Sequence, residues 1–255
     1  MQVNQIDKPA FLEFVHARTG EFLRRIGEPQ AFVVKGFYPE AEILDIRREV
    51  FEGGLTSEPG WHPLRDGCPD YHRLHDNFPG AHVKQKMHAF YFHGWHARNQ
   101  ARFDYFREIF ALKNFLAGLE EGAFLRNVPS DGHVARVNLH HYPRGGGYQA
   151  EHVDPVGPHA QIQTLVAASR LGVDFAKGGV YARTDPQAQR EPLDRFLEPG
   201  DLLVLSPGIP HGVAPVDPEQ PYDWRTNQGR WMILPIIVTA DLPGVEKPRQ
   251  LAGEA

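Results

Sequence analysis

Beyond residue 130 the chain breaks into short apolar runs, at 134–142, 161–168, 179–183, 201–205 and 230–238, each closed off by glycine or proline. Runs of this length between turn residues are the size of strands and too short for core helices. With 25 glycines and 22 prolines among 255 residues, the chain turns too often for a helical bundle. The cadence predicts a β-sandwich or a double-sheet barrel.

The first half reads differently. Phe11, Phe14, Val15, Phe22, Leu23 and Ile26 recur at helical spacing over 8–26, with Pro9 in the first turn. A β-rich run covers 30–36. Pro39 opens a second helix that carries Ile43, Leu44, Ile46 and Val50 and ends at Gly53-Gly54. Residues 55–87 read as loop, 88–96 as a strand or a lid, and 98–119 as a third helix. Neither a repeat nor a linker interrupts the chain. The expectation is one domain, mainly β with flanking α-helices: a helical and loop-rich elaboration over 1–130 buttressing a β core over 131–240, then a tail over 241–255.

Composition narrows the function. Sixteen Phe, eight Tyr and four Trp supply a packed core. The longest apolar run, 231–238, is far short of a membrane span, and the first residues lack the basic and apolar regions of a signal peptide, so the cytoplasm is the expected location. A net charge of −5 argues against nucleic acid or an acidic membrane as partner. The single Cys68 excludes a disulfide framework. Fourteen histidines point to chemistry.

His152-Val153-Asp154 is the only His-x-acid triplet in the chain. On a strand, side chains two apart share a face, so this imidazole and carboxylate converge. With a distant histidine they form the two-His-one-carboxylate set of non-haem iron(II) enzymes, which leaves a coordination face open. His211 is that third candidate. It stands at the exit of a strand entered through Pro199-Gly200-Asp201, and 57 residues past Asp154 leave room for intervening strands. Arg230 opens the last apolar strand, where a buried guanidinium needs an anion and its fork suits a carboxylate.

In this order, Tyr142-Pro143-Arg144-Gly145-Gly146-Gly147-Tyr148, His152-x-Asp154, Gly178-Gly179, Pro199-Gly200-Asp201, His211 and Arg230 resemble the iron(II)/2-oxoglutarate-dependent dioxygenases, closest to their prolyl-hydroxylase-like branch. The resemblance covers about 134–238. It implies a double-stranded β-helix, a jelly roll or cupin-like barrel, in which His152, Asp154 and His211 bind Fe2+. It implies 2-oxoglutarate as cosubstrate, its distal carboxylate on Arg230 and its pocket bordered by Tyr142, and O2 as oxidant. Two departures stand out. Arg230 lies 19 residues beyond His211 rather than about ten, with Arg225 at 14 as the rival. The strand after His-x-Asp carries Gln161, Gln163 and Thr164 where the branch has a tyrosine, so Gln163 or Thr164 is expected as second anchor. A carboxylate at Asp154 occupies the position that halogenating relatives leave open, which implies hydroxylation, desaturation or ring chemistry. A small-molecule substrate is expected.

Asn138 shares strand parity with Arg136, His140 and Tyr142, so all four face the cavity if Tyr142 does. Trp61, Tyr71, Phe90, Tyr91, Phe92, Trp95 and the loop at about 184–193 are candidates for the substrate pocket. His72, His75, His82, His88, His93 and His96 match no compact metal motif and read as a polar, aromatic region or lid. Gly145-Gly146-Gly147 reads as a β-turn rather than a phosphate nest, and Cys68 as inert. Two rival readings remain: a cupin that uses no 2-oxoglutarate, since 200–211 resembles the second cupin motif, and a barrel that binds without turnover.

Overall fold

The structure is a computed structural model that describes residues 1–78, 81, 83–242 and 251–252. His82 and most of the 241–255 tail lie outside the described residues.

The chain opens with β1 (Gln2–Asp7), α1 (Lys8–Ala17), α2 (Thr19–Ile26), β2 (Gln30–Lys35) and α3 (Glu40–Leu55). The helix expected over 8–26 is two helices. Arg18 leaves helical geometry at φ −133° and ψ 41°, and the Thr19 hydroxyl donates to the Val15 carbonyl at 2.8 Å, competing with the backbone ladder. Next come β3 (Tyr71–Asp76), β4 (Gln85–His93), α4 (Gln100–Tyr105) and α5 (Arg107–Leu116), so the third expected helix also breaks, at Phe106. β3 is hidden in the sequence because its two buried positions, one on each face, are His72 and His75 rather than aliphatics. The segment 88–96 is mostly the strand β4 and not a lid.

The β core follows: β5 (His133–Pro143), β6 (Gly147–Val153), β7 (Gln163–Ala167), β8 (Gly179–Ala182), β9 (Glu191–Pro192), β10 (Leu202–Leu205), β11 (His211–Val216), β12 (Gly229–Thr239) and a two-residue β13 (Leu251–Ala252). They join one curled mixed sheet in the order β1-β2-β10-β7-β12-β5-β4-β6-β11-β8-β9, with β3 beside β4 and β13 beside β6. The fold is a mainly β jelly roll with flanking helices. The residues before 130 do more than buttress it, because β1 to β4 are continuous with the core sheet.

Strand alternation explains why whole runs are apolar. Val34, Val204, Val166, Ile233 and Leu139 face outward and pack under Phe11 and Phe22 of the first two helices and Phe106 and Phe110 near the start of α5. Val33, Leu203, Leu165, Met232 and Leu234 face inward and line the barrel. Both faces of these strands are buried, so β10 reads as Leu-Leu-Val-Leu without a polar residue. Among the described residues no helix is long and apolar enough to cross a membrane.

Candidate active site

His211 pairs directly with His152 across β11 and β6, and both imidazoles enter the barrel. Their rings lie 4.4 Å apart. His152 Nε2 is 3.7 Å from one oxygen of Asp154, and His211 Nε2 is 3.5 Å from the other. One ligand atom from each of the three lies within 4.8 Å of the others. The backbone sets the tautomers: His152 Nδ1 donates to the Ala150 carbonyl at 2.9 Å, and His211 Nδ1 to the Ile209 carbonyl at 2.8 Å. A carbonyl only accepts, so the proton sits on Nδ1 and each Nε2 lone pair points into the cluster. Asp154 is held by its own N–H on the Pro207 carbonyl and by Gln163, whose Nε2 donates to Oδ2 at 3.0 Å. Two imidazoles and a carboxylate fit a divalent transition metal and leave its opposite face open.

The cluster opens on a cavity of about 540 Å³ inside the barrel. Arg136, Asn138 and His140 line it, and Gln149, Lys113 and Gln163 join them. Lys113 comes from α5, and its ammonium donates to the Ile162 carbonyl at 3.0 Å. Burial draws Lys113 down to about 8, against the attraction of Asp154. Burial also lowers His140 to about 3, so it is neutral near pH 7.

The remaining predicted residues divide. Tyr142 is fully buried behind the wall, and its hydroxyl donates to Gln149 Oε1 at 2.9 Å. Arg230 is buried beside it, with its guanidinium carbon 5.8 Å from the Tyr142 ring centre. Its Nε donates to Asp194 Oδ2 at 2.8 Å and its Nη1 contacts Met232 Sδ at 3.1 Å. Neither Arg230 nor Tyr142 borders the cavity directly. Arg225 is exposed and lies over the Trp224 ring. Thr164 is a correction. Gln163 and Leu165 face the cavity, so Thr164 between them faces away, with its buried hydroxyl unpartnered.

The expected aromatic pocket is also corrected. Of the six candidates only Tyr91 lines the barrel cavity, while Tyr71, Phe90 and Phe92 border a second cavity between β4 and the helices, and Trp61 is exposed. The 184–193 loop does not reach the barrel cavity. The histidine region is structural. His72 Nδ1 meets His88 Nε2 at 2.7 Å, and His75 Nε2 meets the Tyr91 hydroxyl at 3.0 Å. Asp70, His93 and His96 converge closely enough for a metal. However, against the upward pull of burial, the Asp70 carboxylate already accepts from the His93 ring, Asn99, the His93 backbone and Arg98, which hold it at about 2. Lys113 and Gln149 were not foreseen, since neither sits in a motif.

No protein-family model matches the chain, and no curated protein does. Solved structures do match. A 2OG-Fe(II) oxygenase family protein from Caulobacter crescentus aligns with 92% of this chain and 87% of its own, at 12% identity and a TM-score of 0.55. A Pseudomonas putida prolyl-4-hydroxylase aligns over 86% and 96%, at 11% identity and 0.50. A Neurospora crassa protein solved with alpha-KG aligns over 93% and 85%, at 13% identity and 0.53. The chain therefore has the double-stranded β-helix fold that these oxygenases share.

Proposed function

We propose that this protein is an iron(II)- and 2-oxoglutarate-dependent oxygenase that hydroxylates, or otherwise oxidises, an unactivated C–H bond of a small molecule. One observation carries the reading: both Nε2 atoms, their tautomers set by backbone carbonyls, meet Asp154 at the cavity inside the curled sheet. The likeness in fold to oxygenases supports it.

His152, Asp154 and His211 are the residues that would hold Fe2+. Iron bound there would supply oxygen activation coupled to conversion of 2-oxoglutarate into succinate and CO2. The chain supplies the rest. Gln163 fixes the Asp154 carboxylate, and the apolar wall of Leu165, Val180, Val213 and Leu234 keeps water from the reacting centre. Arg230 is the proposed partner of the cosubstrate's distal carboxylate. Asp194 takes its Nε, while Nη1 faces only a thioether, a weak acceptor that an incoming carboxylate would displace. Tyr142 and Gln149 border the same end. The Arg230–Asp194 pairing also favours a second reading, a cupin-type oxygenase or isomerase without 2-oxoglutarate, because it already answers the buried charge.

Anaerobic visible absorption separates the two. A charge-transfer band that needs both iron(II) and 2-oxoglutarate, and is lost in His152→Ala, is the expected result. Iron binding without a band on adding 2-oxoglutarate would move the assignment to the cupin.

A further inference from the structure

Arg136 is a cation in the cavity wall without an anion. Among the described residues it forms no ion pair and no hydrogen bond, and its Nε is buried without a partner. Its guanidinium lies 4.9 Å from the Tyr91 ring centre, and both side chains line the cavity. Beside it on the same face of β5 are Asn138 and His140. Asn138 is 3% exposed with Oδ1 unpartnered, and His140 is 9% exposed with Nδ1 unpartnered. Three adjacent polar groups on one strand thus have unmet hydrogen bonds directed at one space. Buried groups in that state mark a place where a ligand completes the set.

The charges in the cavity are uneven. Lys113 is held by the Ile162 carbonyl and feels Asp154, so its charge is answered. Asp154, the cavity's one lining carboxylate among the described residues, belongs to the metal cluster. His140 is neutral and adds no charge of its own. What remains is the fork of Arg136, in a chain whose net charge is −5.

The cosubstrate does not account for it. Arg230 pairs with Tyr142 across β12 and β5, whereas Arg136 pairs with Ile236, six residues along the ladder. At strand spacing that separates the two cations by about 20 Å of backbone. A five-carbon diacid gripped by iron at one end and by Arg230 at the other does not extend to Arg136.

We infer that Arg136, with Asn138 and His140, is the anchor for a carboxylate on the oxidised substrate, so that the enzyme acts on a small organic acid. This rests on the oxygenase reading for the reaction, but the anchor itself can be measured as binding. A planar carboxylate matches the fork of Arg136 in two parallel hydrogen bonds. Asn138 and His140 are left to read a polar group next to it. The apolar residues beside them on β12, Leu234 opposite Asn138 and Ile236 opposite Arg136, also line the cavity and suit the hydrocarbon part of the molecule.

The test compares hexanoate and phenylacetate with hexanamide and phenylacetamide, by calorimetry on the intact protein with iron(II) and saturating 2-oxoglutarate under anaerobic conditions. The acids should bind at least about tenfold more tightly than the amides, the range expected for a charge-assisted pair. Arg136→Met should abolish that preference and leave the affinity for 2-oxoglutarate within about twofold, whereas Arg136→Lys, a charge without the fork, should retain part of it. Equal binding of acids and amides, or an unchanged preference in Arg136→Met, overturns the inference. A loss of 2-oxoglutarate binding in Arg136→Met also overturns it and makes Arg136 the cosubstrate anchor. Should the wild type form no band with iron(II) and 2-oxoglutarate, the oxygenase reading fails. The acid–amide comparison on the metal-free protein then decides the anion site separately.

Discussion

His211 stands directly opposite His152 in the antiparallel register of β11 and β6, and their Nε2 atoms approach opposite oxygens of Asp154. The convergence depends on register. A slip of one residue would turn either imidazole to the outer face. These side chains line a cavity rather than fill the core. His152→Ala and Asp154→Ala should therefore abolish iron binding and turnover while unfolding free energy stays within about 1 kcal/mol of wild type. Iron content and a denaturant curve on each variant are the check, and full activity in either would sink the assignment.

Arg230 and Arg225 are the two candidates for the cosubstrate carboxylate, and the structure separates them by burial. Arg230→Ala should raise the apparent KM for 2-oxoglutarate far more than Arg225→Ala does. It should also destabilise the fold by about 3–5 kcal/mol, because it strands the buried Asp194 carboxylate. Arg225→Ala removes an exposed side chain and should stay within about 0.5 kcal/mol. Steady-state kinetics and denaturant titration report the two effects independently.

Gly179 holds the Asp194–Arg230 pair from the other side. Its φ is +100°, and a β-carbon there would overlap Asp194 Oδ2, the oxygen that also accepts from the Val180 N–H at 2.5 Å. Gly179→Ala combines backbone strain with displacement of a buried carboxylate. It should cost roughly 2–4 kcal/mol and weaken 2-oxoglutarate binding at the same time. A variant with wild-type stability and affinity would show that the pair tolerates movement.

Burial of neutral histidines sets the acid limit. His140 and His141 are drawn down to about 3, and His75 to about 4, in each case chiefly by desolvation. The unfolded chain takes up these protons near pH 6.5 and the folded one only far below it. The stability they confer is complete above that pH and is lost as pH falls toward 4. Each histidine contributes a slope of about 1.4 kcal/mol per pH unit in that window. Unfolding free energy measured at pH 7 and pH 5 should therefore differ by several kcal/mol, and His141→Phe, which keeps a ring stacked on Trp231, should reduce the difference. A flat profile over that range would refute the account.

The most legible strands were those packed on both faces: β8, β10 and most of β12 are apolar runs, and β5 and β7 keep enough buried Val, Leu and Ala to read as strands despite their polar positions. β6 is legible only through His152-x-Asp154, and β11 is not read as a separate strand, because strands that present Gln149, His152 and His211 to a cavity show no aliphatic pattern. The same holds for β3, whose buried positions are histidines bonded to the next strand.

What the sequence determined alone was local: a histidine and an aspartate two apart, a second histidine beyond the exit of a strand, and the shared parity of Arg136, Asn138, His140 and Tyr142. Spacing along one strand is set by covalent geometry, so it can be read without a fold. Which cation faces an anion was decided only by the tertiary structure. Arg230 is matched by Asp194, 36 residues away in the chain, and Arg136 by no anion among the described residues, because charge neutralisation depends on distances through space that no local pattern encodes.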